Sequence, residues 1–165
     1  MDIYRALSKD HRHFEALLKT LVASSSADGE KWKTVLDELR REVIAHAHAE
    51  EGVFYNALRE TEASKGLLVH SYTEHATAEG ELRALTVAKA IDANLNTMIK
   101  KLSKDLRHHI QEEESQVFEA ARKVFSADEA RQLGAAFERM KLETMKDGDS
   151  LISSTVDLIV NPARN

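Results

Sequence analysis

The chain has 165 residues, a size that suits one domain with a substantial core, and 42% hydrophobic against 31% charged residues suit a folded soluble protein rather than a disordered one. A formal charge of −5 gives no general reason to expect nucleic acid or anionic lipid as a partner. The lack of any cysteine excludes disulfides, thiolate metal ligands, a cysteine nucleophile and a thiolate-held iron–sulfur cluster from this chain.

One proline, Pro162, and six glycines favour long helices. The stretch MDIYRALSKDHR has no apolar segment of the signal-peptide kind, and no apolar run approaches membrane-spanning length, so a cytoplasmic location is expected. The first helix is expected from about Asp2 to Val22, with Ile3, Leu7, Phe14, Leu18 and Leu21 on one stripe. A polar break follows at Ser24 to Gly29. The second helix is expected from about Glu30 to Glu60, with Leu36, Leu39, Val43, Val53 and Ala57 facing inward. A short break is expected around Ala63 to Gly66.

The third helix is placed at about Leu67 to Lys89, with Leu68, Leu82 and Leu85 inside, and the fourth at about Asp92 to Phe125, with Leu95, Met98, Leu102, Leu106 and Val124 inside. Ser126 with Glu129 three residues on reads as a capping box that opens a fifth amphipathic helix, DEARQLGAAFERMKLE. The expected fold is all-α: an up-down-up-down four-helix bundle with an additional C-terminal helix. Residues 1–146 are expected to form the bundle and its flanking helix; residues 147–165 are expected as a tail, a short helix or strand that packs on the domain or is partly disordered.

Within this pattern one phrase occurs twice. His11 is followed 35 residues later by His46 and Glu50, and His75 is followed 34 residues later by His109 and Glu113. The segments HAHAEEGVFYNALR and HIQEEESQVFEAAR align without a gap. Residues four apart on a helix differ by about 40° in direction, so each histidine shares a face with its glutamate. All six residues lie on inner stripes. Each pair of histidines lies at similar distances from the loop joining its helices, which puts them at one height in the bundle. Buried carboxylates and imidazoles cost several kcal/mol each unless paired or metal-bound. Two metal cations, bridged by the carboxylates, would answer that cost. A single His-x-x-x-Glu pair is most often an ordinary surface pair, and a metal-free hydrogen-bonded layer is the alternative here.

His13 and His48 fall on the solvent side, two residues from His11 and His46. His108 is assigned to the boundary or surface. Glu51, Glu112 and Glu114 are expected mostly as solvated helix charge, with Glu51 also a candidate outer partner. His70, Tyr72 and Glu79 are candidates for an additional ligand or a supporting partner. Phe14, Phe54, Tyr55 and Phe118 are assigned to core packing around the layer.

The phrases KDHRHFEALL, HAHAEEGVFYNAL, EHATAEGELRAL and HIQEEESQVFEAAR resemble the hemerythrin-like family, the HHE cation-binding domain, over about residues 1–146. The resemblance implies a non-haem di-iron centre with an oxo or hydroxo bridge. It implies His11, His46, His75 and His109 as imidazole ligands and Glu50 and Glu113 as bridging carboxylates. Oxygen-carrying members have a fifth histidine four residues before the third-helix ligand; Ser71 stands there in this chain. Histidine and carboxylate ligands alone would also suit manganese or zinc; iron comes from the resemblance.

The leading expectation is binding of, or reaction with, a small ligand (oxygen, nitric oxide or peroxide) in sensing, redox chemistry or iron handling. One alternative is a di-iron oxidoreductase that decomposes peroxide; another is a bundle in which metal is only a staple. No nucleic acid or membrane partner is expected. The fifth helix and tail are the expected surface for a second copy or a partner protein.

Overall fold

The computed structural model describes residues 1–25, 28, 30–59 and 65–160, with residues 65 and 148–160 described by their backbone alone. Helix α1 spans Ile3–Ala23 and starts where the Asp2 side chain accepts the Arg5 N–H at 2.9 Å. Helix α2 spans Lys31–Glu50 and runs on through a π-helical segment, Glu51–Tyr55, into a last turn, Asn56–Leu58. Helix α3 spans Lys65–Thr86. Helix α4 spans Ala93–Glu112, capped by the Asp92 carboxylate on Leu95 N–H, and also runs on through a π-helical segment, Glu113–Val117, into Phe118–Val124. Helix α5 spans Ala127–Val160 and opens on the expected capping box: the Ser126 hydroxyl donates to the Glu129 carboxylate at 2.7 Å, and Glu129 N–H returns to it at 3.3 Å.

The first four helices close a square in which α1 packs on α2 and α4, and α3 packs on the same two. Helix α5 lies along the outside of the α1–α2 pair. Gly134 permits that approach: a Cβ there would stand 2.5 Å from the Met1 carbonyl oxygen and 2.7 Å from the Asp2 carbonyl carbon.

The apolar core is in two parts. One holds Phe14, Leu18, Leu36, Leu82, Leu102 and their neighbours near the α1–α2 connection. The other holds Leu7, Phe54, Leu68, Phe118, Phe137 and theirs at the opposite end. In every helix of the square, the histidine singled out above falls between a residue of one part and a residue of the other. A polar layer therefore separates two apolar half-cores.

The expected helices are present, with some differences. Helix α5 continues unbroken through Gly148, where a separate short element was expected; one glycine costs a helix only about 1 kcal/mol and does not end it. The packing expected of residues 147–165 falls largely on side chains outside the described residues, as do parts of the expected breaks at 24–29 and 63–66. Val124, expected inside, is 44% exposed. It occupies the last turn of α4, after which the backbone becomes extended and Phe125 packs on the core instead. Among the described residues no helix is long and apolar enough to cross a membrane.

Candidate metal centre

All six residues of the doubled phrase are buried and meet in the layer between the half-cores. They form two trios, His11–His46–Glu113 and Glu50–His75–His109, in each of which ligand-capable atoms lie within 4.8 Å of one another. The halves of the chain exchange glutamates. Glu113 of α4 faces His11, with its Oε2 3.2 Å from His11 Nε2. Glu50 of α2 joins the histidines of α3 and α4, and its Oε2 lies 3.5 Å from both His75 Nε2 and His46 Nε2. His75 Nε2 and His109 Nε2 face each other at 3.0 Å.

The outer nitrogen of each ring is held by an acid from the neighbouring helix. His46 Nδ1 donates to Asp10 of α1 at 3.1 Å, and His75 Nδ1 donates to Glu51 of α2 at 2.8 Å. His109 Nδ1 donates to Glu74 of α3 at 3.0 Å, and His11 Nδ1 donates to Glu114 of α4 at 2.9 Å. The four bonds make a closed cycle, α1 to α2 to α3 to α4 to α1. Each acid holds its imidazole in the tautomer that turns the Nε2 lone pair inward, which is what a metal-binding histidine requires.

The inward atoms face one another without forming hydrogen bonds. His11 Nε2, His46 Nε2 and all four carboxylate oxygens of Glu50 and Glu113 are buried with no hydrogen bond. An unsatisfied buried polar group costs about 1–3 kcal/mol, and six lie in one layer. Two cations among them would satisfy all six, so the donor set fits the metal pair that the sequence pattern suggested.

Without metal, the layer redistributes protons. Burial and then the charge of Glu113 push Glu50 well above the usual carboxylate range. Burial acts the same way on Glu113, but its contacts with Glu50 and His11 outweigh it and hold Glu113 low. Burial opposes charging of His11, yet Glu113 and Glu114 raise it to about 9. Burial lowers His46 to about 4 against the pull of Asp10, and burial also lowers His75. At neutral pH this keeps His11 and Glu113 charged and His46 and His75 neutral, and it biases Glu50 toward its protonated form.

Glu50 directly precedes the π-helical segment of α2, and Glu113 is the first residue of the one in α4. The wider turn departs from the regular 100° step and occurs often at functional sites. Aromatic rings close the layer: Phe14 and Phe137 set their edges to His46 at 5.1 and 5.4 Å, and Tyr55 stacks on His75 at 5.6 Å.

The remaining candidates fall elsewhere. His13, His48 and His108 are exposed, as expected, and His13 faces Glu38 at 3.4 Å. His70 is also exposed and stands outside the six, 3.1 Å from Glu112. The Glu79 carboxylate turns to Arg83 at 2.5 Å, and Tyr72 is partly exposed with its ring against Tyr55. Neither joins the six. Ser71 is buried and donates its hydroxyl to the Leu67 carbonyl at 3.2 Å, along its own helix. Glu114, expected as solvated charge, instead holds His11 and is braced by Arg12 at 2.8 Å.

Sequence reasoning missed Asp10, Glu74 and Lys141, and it assigned Tyr55 to core packing that also restricts solvent access. Lys141 of α5 is buried and donates to both oxygens of Asp10, at 2.8 and 2.7 Å. The fifth helix therefore reaches the acid that orients His46. The Tyr55 hydroxyl is buried beside Glu50 and Ser71.

Known proteins share this fold. A hemerythrin HHE cation-binding domain protein of Mycobacterium kansasii has a similar solved structure, with a TM-score of 0.77, 20% identity, and coverage of 96% of this chain and 92% of that one. A DNA nickase of Nostoc sp. is 24% identical over 141 residues, 86% of this chain, which spans only 39% of that relative's length. The family model for the hemerythrin HHE cation-binding domain matches residues 2–121. The chain belongs to the hemerythrin HHE cation-binding domain family.

Proposed function

We propose that the buried layer holds two iron ions and that the protein binds or reacts with a small ligand (oxygen, nitric oxide or peroxide) in sensing, redox chemistry or iron handling. His11, His46 and Glu113 would hold one ion, and Glu50, His75 and His109 the other, with Glu50 near enough to both groups to bridge. The observation that carries this is the set of six inward atoms, buried and without hydrogen bonds. A bound iron pair supplies ferrous–ferric exchange and an open position for a small molecule.

The protein's own groups do the rest. Asp10, Glu51, Glu74 and Glu114 fix the imidazoles, and Phe14, Tyr55 and Phe137 wall the layer. A cavity of about 450 Å³ reaches His11, His46, His75 and His109 from the side of α3 and α4, large enough for a diatomic or peroxide. The nicking activity in the cyanobacterial relative's name is not part of this reading. That match covers a minority of a longer protein, and the charge of −5 gives no attraction to a phosphate backbone.

The test is iron-loaded protein, reduced without air and then exposed to oxygen or nitric oxide while its absorption spectrum is recorded. A new band or bleaching is expected; an unchanged spectrum overturns the reading.

Tyr55 favours a second reading, decomposition of peroxide. Burial, then the charges of Glu50 and Glu113, hold its phenol well above its usual range, so it stays protonated beside the layer and able to donate. Many equivalents of peroxide consumed per iron pair, and a sharp loss of turnover in Tyr55→Phe, would favour this reading over simple binding.

A further inference from the structure

We propose that His70, Glu74, His108 and Glu112 form a separate surface site for a divalent transition-metal cation, and that this site feeds the buried layer. The four residues make two His-x-x-x-Glu pairs, one on α3 and one on α4, and the pairs converge. His70 Nε2 lies 3.4 Å from Glu74 Oε1 and 3.1 Å from Glu112 Oε2, and His108 Nε2 lies 3.5 Å from Glu112 Oε1. One ligand-capable atom from each residue falls within 4.8 Å of the others. Two imidazole nitrogens and two carboxylates suit Fe²⁺, Co²⁺ or Zn²⁺ better than Mg²⁺ or Ca²⁺, which prefer oxygen alone.

Exposed i,i+4 pairs are common and usually mean little. Two features set this cluster apart. Glu74 belongs to both places: Oε1 faces His70, while Oε2 accepts from His109 Nδ1 at 3.0 Å. The cavity that reaches His75 and His109 is also lined by His70, Glu74 and His108. A buried centre needs an entry path, and three of the four cluster residues lie along this one. The uptake role rests on the proposed buried centre, whereas the surface site stands without it.

Co²⁺ alone provides the test, using the full chain. Equilibrium dialysis with metal analysis should give roughly three ions per chain in the wild type, two in the bundle layer and one outside. The doubly substituted H70A/H108A protein should retain about two and fill them more slowly. The variant E50Q/E113Q, which keeps the shape of the buried side chains, should retain about one. Circular dichroism would show that both variants stay folded. If H70A/H108A binds as much Co²⁺ as the wild type, the surface site is refuted and the buried centre is untouched. If it loses one ion but fills the rest at the wild-type rate, the uptake role is refuted. A wild type that binds a single ion, lost in H70A/H108A, would leave the surface site standing and overturn the buried centre.

Discussion

Replacing Lys141 with methionine keeps the length of the side chain and removes its charge. In the native structure Lys141 is only 8% exposed and Asp10 5%, and two short bonds join them. Without the lysine, the Asp10 carboxylate stays buried with His46 Nδ1–H as its remaining partner. Breaking a buried ion pair costs about 3–5 kcal/mol. The lower end applies, because Asp10 keeps its bond to His46, and Glu42, the second acid near Lys141 at 3.6 Å, is partly exposed and can turn to solvent. For a chain of this size about 3 kcal/mol corresponds to a fall of about 6–12 °C in Tm. Thermal unfolding of metal-free wild type, Lys141→Met, Asp10→Asn and the double variant would measure it. Because the residues share one interaction, the double variant should be less destabilised than the sum, by about 2 kcal/mol. A Tm within about 1 °C of wild type for Lys141→Met would refute the reasoning, as would strict additivity. Asp10→Asn should also weaken metal binding by about 10–100-fold, since it loosens the hold on His46.

Metal loading should release protons. His11 is charged below about 9 in the metal-free layer and Glu50 is shifted upward, so binding at pH 7 should displace about one proton per chain or more and weaken as pH falls. Calorimetry in buffers of different ionisation enthalpy would count them, and a count of zero would contradict the proton distribution described above. Gly134→Ala should destabilise by about 1–3 kcal/mol despite a better helix former, because the new methyl meets the backbone of residues 1–3. A denaturant midpoint equal to or above wild type would show that the start of α1 moves aside freely. His75→Ala should lose bound metal, whereas His13→Ala and His48→Ala should keep the wild-type metal content. Metal loss in either control would move the centre.

The gathering of six residues was legible because helix periodicity carries it. His46 with Glu50 and His109 with Glu113 share faces by arithmetic alone, and the repeat set their heights. The exchange of glutamates was not legible, because it depends on which helices are neighbours across the square. The acids Asp10 and Glu74 were hidden for a similar reason. Each sits one residue from a histidine of the layer but holds the ring of a different helix. A signal was present in retrospect: an acid directly precedes His11 and His75, and another directly follows Glu50 and Glu113. Tyr72 and Glu79 looked suitable by angle from His75, yet Arg83 and solvent claim them, and Tyr55 of another helix stands nearer the layer. Lys141 lies 131 residues from Asp10, and no local pattern links the two. The π-helical segments have no marker in a periodicity built on 3.6 residues per turn.

The cycle of acids and imidazoles acts as a mechanical interlock. Every helix of the square both lends an acid and receives one, so none can turn about its own axis without breaking a bond on each side. A slip of one residue would rotate a helix by about 100° and carry its histidine and acid out of reach together. Bundles packed by apolar ridges alone tolerate such sliding far better, because one aliphatic surface resembles the next. Here the polar girdle sets the rotational phase of all four helices, with or without metal. It leaves the two greasy ends free to vary in sequence while the middle holds its geometry.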